Sequence, residues 1–191
     1  MTQGLFATLI IGTMIQQIGL LIGGSTGNVI YLLGKAAAAL TSAGIGVGVA
    51  VKYGESPLVT VSAAVAAMVG GYAGKITGGT FFVDGNAVLA GPGEPLGAFI
   101  AAFAGITCGH LVSGKTKVDI IVTPVITIGA GSVVGLLVGP PISQMMTGLG
   151  SIINWATEQR PFIMGIVVSV VMGMVLTLPI SSACTRHLLI V

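Results

Sequence analysis

Charged residues are scarce in this chain, and their scarcity excludes most classes of water-soluble protein. Only 6% of the 191 residues are Asp, Glu, Lys or Arg, whereas 54% are hydrophobic, and the mean hydropathy is +1.07. Soluble domains carry about 25% charged residues, so this chain has too few to cover a surface that faces water. The net charge of +2 comes from scattered residues, which provides no basic patch for nucleic acid. We therefore expect an integral membrane protein.

Residue patterns for disulfide, metal and cofactor chemistry are also missing. The two cysteines, Cys108 and Cys184, do not form a CxxC pair, so neither a disulfide framework nor a zinc site is predicted. The chain has no phosphate-binding loop, HExxH or GxSxG motif. We predict no cofactor, no metal and no catalytic residue, and we expect that this chain alone is not an enzyme.

Long apolar segments dominate what is present, and each is close to the length of about 20 residues that a helix needs to cross a membrane. Their apolar residues are continuous rather than alternating, which favours helices over barrel strands. About six segments qualify, at 4–22, 28–51, 56–74, 95–113, 118–138 and 161–181. The predicted fold class is an all-α integral membrane protein, in which residues 1–191 form a single polytopic domain.

Two further patterns concern how these helices are arranged. Residues 140–160 begin with Pro-Pro and place apolar side chains at helical spacing around Trp155, which predicts an amphipathic helix lying in the membrane interface. Small residues recur at every fourth position in several spans, a spacing that lets helix backbones pack closely in lipid. These residues are Ser62, Ala66, Gly70 and Gly74; Gly131, Gly135 and Gly139; and Gly165, Ser169 and Gly173.

The distribution of basic residues indicates an orientation in the membrane. If six spans alternate, one side receives Lys52, Lys115, Lys117 and Arg186, and the other receives Lys75 and Arg160. Because cytoplasmic loops carry the excess of Lys and Arg, both termini are predicted to be cytoplasmic. Lys35 falls within the second span and is not counted.

A segment rich in Gly and Pro, residues 78–95, places Asp84, Asn86 and Glu94 between apolar spans. Irregular backbone at membrane depth persists only where protein buries it or where it lines a polar cavity. A re-entrant loop of this kind would offer carboxylate and amide groups to a hydroxyl-rich ligand such as a sugar. The alternative is an ordinary exterior loop with solvated acids.

Polar side chains near the ends of the fourth and fifth spans are further candidates for binding. His110 is either a ligand or proton carrier, or a structural group near the interface. Asp119 and Thr123 fall on one helix face with Thr127, which makes a polar stripe. Asp119 is equally suited to cap the helix or to pair with a neighbouring lysine.

The sixth span ends in "LTLPISSAC", where Ser181 and Ser182 follow a proline. Discontinuous helices with polar groups at the break often mark substrate sites in transporters. This pattern makes both serines candidate substrate-binding residues; the alternative is a plain helix end.

The stretch from residue 93 to residue 183 resembles the membrane (IIC) component of bacterial sugar phosphotransferase systems. The most specific pieces are "SGKTKVDIIVTP", "GPPIS" and "PFIMGIVVSVVMGMVLTLPISSA". Within the family, the resemblance is to a PfoR-like branch, named after regulators of a bacterial toxin. Residues from about 9 onward resemble the same branch more loosely.

This resemblance implies a multi-pass sugar carrier in the bacterial plasma (inner) membrane. Such carriers contact membrane lipid and hold a sugar while a soluble IIB protein, supplied by IIA, phosphorylates it from the cytoplasm. The carrier itself has no phosphoryl-bearing residue, and a homodimer is expected. In better-known branches an acidic residue of a re-entrant loop contacts the sugar, and Glu94 in "PGEP" corresponds to it by position.

Two other functions remain open at this point. Family members continue with more spans after the serine pair, whereas this chain ends in "CTRHLLIV". The ending suggests a truncated chain, so an inactive fragment is one alternative. The other is a PfoR-like membrane regulator or sensor that keeps the fold without transporting a sugar.

Overall fold

A computed structural model shows the described part of the chain to be almost entirely helical. The chain divides into two compact units, residues 1–142 and residues 143–191. The structure describes residues 2–83, 86–87, 89, 91, 93–115, 118–158, 165–166, 169–170 and 173.

The elements of the described residues follow one another in this order. They are α1 (Thr2–Leu5), a π-helical segment (Phe6–Ile10), α2 (Ile11–Ile22), α3 (Gly24–Ala39), α4 (Thr41–Lys52), α5 (Pro57–Gly71), α6 (Ala73–Thr77), β1 (Phe82–Val83), β2 (Asn86–Ala87), α7 (Pro95–Val112) and α8 (Asp119–Glu158). The strands β1 and β2 pair antiparallel, with Phe82 opposite Ala87 and Val83 opposite Asn86.

Helices α2 and α3 form an antiparallel hairpin whose turn is at Gly23, where φ is 65°. A Cβ atom on Gly19 would lie 2.5 Å from the backbone nitrogen of Tyr31 and 2.8 Å from the carbonyl oxygen of Gly27. Only glycine therefore allows the two backbones to come this close. Large apolar side chains of the hairpin point outward, and Leu21 is 86% exposed, as expected for a surface that faces lipid.

The core of the first unit lies among α4, α5 and α7. Its fully or almost fully buried side chains include Ile45 of α4, Val59 of α5, and Ala98 and Ile106 of α7. Alanine and glycine supply most of the remaining contacts. The small side chains bring the helices close together.

The predicted stripes of small residues are confirmed where α8 packs on α5 and α7. A Cβ atom on Gly131 would lie 2.6 Å from Cβ of Ala66 and 2.7 Å from the carbonyl oxygen of Ala101. One turn later, a Cβ atom on Gly135 would lie 2.8 Å from Cα of Gly70. In the second unit, Cβ atoms added to Gly165 and Gly173 would meet no described atom within 4 Å.

The number of candidate spans is lower than the six predicted. Among the described residues three helices are long and apolar enough to cross a membrane, or four if α3 and α4 count as one bent span. The segment predicted at 56–74 corresponds to α5, which has only 15 residues, because the helix ends at the Gly70–Gly71 pair that hydropathy alone passes over. Most of the segment predicted at 161–181 lies outside the described residues. The all-helical membrane fold itself is confirmed.

The helix predicted at residues 140–160 is present as far as Glu158, but it does not begin at Pro140. Pro124, Pro140 and Pro141 all lie inside α8, which continues to Glu158. Proline removes one backbone donor and crowds the preceding turn, yet membrane helices tolerate it where neighbouring groups satisfy the freed carbonyl. Residues 140–158 thus belong to a longer helix, and their location in the membrane interface stays a prediction.

Candidate functional site

The bundle contains a helix break between Ala39 and Thr41, where α3 and α4 meet at 50°. A break of this kind leaves carbonyl groups at the end of α3 without partners in the helix. The hydroxyl of Tyr72 donates to the carbonyl oxygen of Ala39 at 3.0 Å and also lies within hydrogen-bond distance of the carbonyl oxygen of Gly91. Tyr72 is 1% exposed, so its buried side chain connects the helix break to the loop at residues 78–95.

The end of the loop lies directly against two helix ends. The backbone N–H of Glu94 donates to the carbonyl oxygen of Gly71 at 2.7 Å. A Cβ atom on Gly93 would lie 2.5 Å from Oγ of Ser42 and 3.0 Å from the carbonyl oxygen of Gly71, and φ of Gly93 is 72°. Glycine is therefore needed at this position both for its backbone angle and for the space. We call Ala39, Ser42, Gly71, Tyr72, Gly91, Gly93 and Glu94 the junction.

The junction brings helix ends of opposite polarity together. The carboxyl ends of α3 and α5 carry partial negative charge, and the amino ends of α4 and α7 carry partial positive charge. Glu94 immediately precedes Pro95, the first residue of α7, and its side chain makes no capping hydrogen bond. Among the described residues its half-buried carboxylate has no hydrogen-bond or ion-pair partner. It is a free acceptor next to the positive end of a helix.

A second polar cluster lies at the other end of α7. His110 Nδ1 is 2.9 Å from Oε1 of Glu55, and the two side chains are 72% and 7% exposed. Glu55 belongs to the loop between α4 and α5, where Ser56 caps α5 and approaches Ser113 to 3.4 Å between hydroxyl oxygens. Because His110 is mostly exposed, its pair with Glu55 is worth at most about 1 kcal/mol.

Asp119 of this cluster connects a loop to the first turn of α8. Its Oδ1 accepts from the backbone N–H of Gly114 at 3.1 Å and from the hydroxyl of Thr123. Thr123 and Thr127 are both fully buried, so the predicted polar stripe faces the other helices. Among the described residues no ion pair joins Asp119 to Lys115; Lys117 lies outside them.

The candidate residues thus do not meet in one place. Glu94 belongs to the junction, whereas His110, Asp119 and Thr123 belong to the cluster about 24 Å away along α7, at 1.5 Å per residue. Asn86 lies in β2 of the loop, and its side chain is not described. Asp84, Ser181 and Ser182 lie outside the described residues, so their predicted role stays a prediction.

Sequence patterns did not identify several residues of the junction and of the polar cluster around His110. Tyr72 and Ser42 lie in segments predicted as parts of continuous spans, and neither carries a motif. The polar loop "YGESP" at residues 53–57 was a signal for Glu55, because an acid between apolar spans must reach either solvent or a partner. Its pairing with His110, 55 positions later, could not be read from spacing.

Replacing Tyr72 by phenylalanine is expected to loosen the junction. The change removes the only hydroxyl of the side chain and leaves the buried carbonyl oxygen of Ala39 without this donor, which costs about 1–3 kcal/mol. Thermal unfolding of the purified protein would measure the loss. Tyr53→Phe is the matched control because Tyr53 is 61% exposed; equal effects of the two changes would contradict the role of the Tyr72 hydroxyl.

The chain was compared with protein families, curated proteins and solved structures. The family model described as "Phosphotransferase system, EIIC" matches residues 1–189. No curated protein and no solved structure matches the chain. Since the family model covers nearly the whole sequence, the chain belongs to the phosphotransferase-system EIIC family and is a membrane component of such a system.

Proposed function

We propose that the chain is the sugar-binding carrier of a phosphoenolpyruvate-dependent phosphotransferase system, and that the sugar binds at the junction. The observation that carries this proposal is the carboxylate of Glu94. It is half-buried, it has no partner among the described residues, and it lies where a loop rich in Gly and Pro meets two interrupted helices. Membership of the family supports the role in sugar uptake.

The chemistry of the junction suits a neutral ligand with many hydroxyl groups. An ionised carboxylate accepts hydrogen bonds from two adjacent hydroxyls, and backbone carbonyls at the helix ends add further acceptors. The carboxylate lies beside the positive end of α7. A neutral sugar adds no further charge to this site.

In the proposed reaction this chain holds the sugar and the soluble IIB protein supplies the phosphoryl group. A bond forms between a sugar hydroxyl oxygen and phosphorus while the bond between phosphorus and the IIB side chain breaks, and the hydroxyl proton is released. Catalysis of such a transfer depends mainly on positioning and on stabilising charge. The contribution of this chain is to fix the position of the sugar, and the chemical step belongs to the partner.

The experiment uses membrane vesicles that contain the chain, together with a soluble extract of the host cell and phosphoenolpyruvate. A panel of ¹⁴C-labelled glucose, galactose, mannose, fructose, mannitol and N-acetylglucosamine is tested for conversion to the phosphate ester. We expect at least one sugar to be phosphorylated only when the vesicles contain the chain. Sugar binding without phosphorylation would instead support the PfoR-like regulator. The absence of both binding and phosphorylation would contradict the carrier.

A further inference from the structure

A groove on the outer face of the α3–α4 break shares Ala39 with the junction, but its other lining residues have no role in the proposed function. Its volume is about 360 Å³, and it is lined by Leu32, Lys35, Ala36, Ala39, Leu40 and Leu89. Five of these six residues are apolar, and the one exception is a cation. Residues 32, 35, 36, 39 and 40 follow helical spacing, so they form one continuous face, and Leu89 of the loop forms the opposite side.

Lys35 is an exposed residue of an apolar helix in a candidate membrane span. No ion pair joins it to an acidic side chain in the part of the chain that the structure describes. A charged side chain is costly within the hydrocarbon layer unless it reaches the interface or finds a partner. Lys35 lies in the first half of the bent span Gly24–Lys52, and its aliphatic stem can follow the apolar face toward the nearer end of that span, where the headgroups lie.

We propose that this groove binds one anionic phospholipid. An acyl chain lies against Leu32, Ala36 and Leu40, and the phosphate of the headgroup contacts the ammonium group of Lys35. The apolar lining argues against free phosphate or a sugar phosphate, because neither ligand would use five of the six lining residues. A zwitterionic lipid would also fit the apolar lining, but the cation of its own headgroup would compete with Lys35 for the phosphate.

The position of the groove gives the lipid a connection to the junction. Ala39 lines the groove, and its carbonyl oxygen accepts the hydroxyl of Tyr72. Leu89 is two residues before Gly91, the other carbonyl that faces Tyr72. A lipid in the groove therefore holds together the helix break and the loop that Tyr72 connects from the inside.

The test is native mass spectrometry of the purified chain in detergent, with phosphatidylglycerol or phosphatidylcholine added. We expect the wild type to retain one phosphatidylglycerol and to retain phosphatidylcholine about fivefold less, which corresponds to about 1 kcal/mol for one lysine at a membrane surface. Lys35→Gln should reduce retention of phosphatidylglycerol to the level of phosphatidylcholine. Lys52→Gln is the matched control, because Lys52 is an exposed lysine at the last residue of α4, and it should behave as the wild type.

A second variant tests the apolar part of the groove. Ala36→Trp fills the space and keeps Lys35, so it should lose both lipids while circular dichroism shows unchanged helix content. Equal retention of the two lipids by the wild type, or unchanged retention by Lys35→Gln, would overturn the proposal. Displacement of the lipid by millimolar inorganic phosphate would also overturn it, since the groove would then be a phosphate site.

Discussion

Replacing Gly131 by valine is expected to destabilise the bundle strongly. The first atom of the new side chain would lie 2.6 Å from Cβ of Ala66 on α5 and 2.7 Å from the carbonyl oxygen of Ala101 on α7. Both neighbours belong to rigid helices, so neither can move away without separating α8 from the core. Overpacking of this kind costs about 1–3 kcal/mol or more, which unfolding in mixed micelles with increasing SDS would measure.

The control for Gly131→Val is available on the same helix. A Cβ atom on Gly129 would meet no described atom within 4 Å, and the residue is exposed. Gly129→Val makes the same change in helix propensity without the collision, so its unfolding midpoint should remain close to that of the wild type. Equal destabilisation by the two changes would show that propensity, not close packing of α8, explains the loss.

Replacing Glu94 by glutamine is expected to abolish high-affinity sugar binding. The substitution preserves the size of the side chain. It removes the negative charge and replaces one of the two carboxylate oxygens, which would accept hydrogen bonds from the sugar. A hydrogen bond to a charged group contributes about 1.5–3 kcal/mol, so the affinity should fall by a factor of about 10 to 150. Equilibrium binding of the labelled sugar identified by the vesicle assay would measure the change.

Asp119→Asn makes the same chemical change at the other end of α7. Asp119 already accepts from Gly114 and Thr123, so its carboxylate has structural partners, and its neutralisation should affect unfolding more than sugar affinity. Helix content and the unfolding midpoint are measured for both variants. If Asp119→Asn removed sugar binding and Glu94→Gln did not, the site would lie in the cluster around His110 and not at the junction.

The sequence predicts the apolar helices well because hydropathy and small-residue spacing are local signals. Residues 95–113 and 118–138 were expected to be helical, and α7 and α8 contain them apart from their ends. The glycines at 131 and 135 were expected to allow close packing, and they contact α5 and α7 as predicted. These features depend on residues that are neighbours along one helix face.

The break between α3 and α4 could not be predicted in the same way. The surrounding sequence "KAAAALTSAG" contains neither proline nor a glycine at the break, and it is compatible with the continuous span expected at 28–51. The break occurs where the hydroxyl of Tyr72 takes the carbonyl oxygen of Ala39, 33 positions away in sequence. This tertiary contact satisfies a carbonyl oxygen near the break, and no local sequence pattern indicates it.

The candidate site shows the same limit. Glu94 was singled out because an acid in a segment rich in Gly and Pro is unusual between apolar spans. Its grouping with His110, Asp119 and Thr123 as substrate-binding residues rested on their polar side chains, and polarity alone does not tell which residues meet. Glu94 directly precedes α7 and His110 lies in its last turn, so the length of this helix separates the residues into two clusters.

The most direct test of the central claim, a sugar site at the junction, is protection of single cysteines from a thiol reagent added to the protein in detergent. In a Cys108→Ala, Cys184→Ala background, Leu96→Cys reports on the junction without removing Glu94, and Leu111→Cys reports on the opposite end of α7. At a sugar concentration of about ten times Kd, labelling at position 96 should slow about tenfold, and labelling at position 111 should not change. Protection at position 111 alone, or at neither position, would contradict the account.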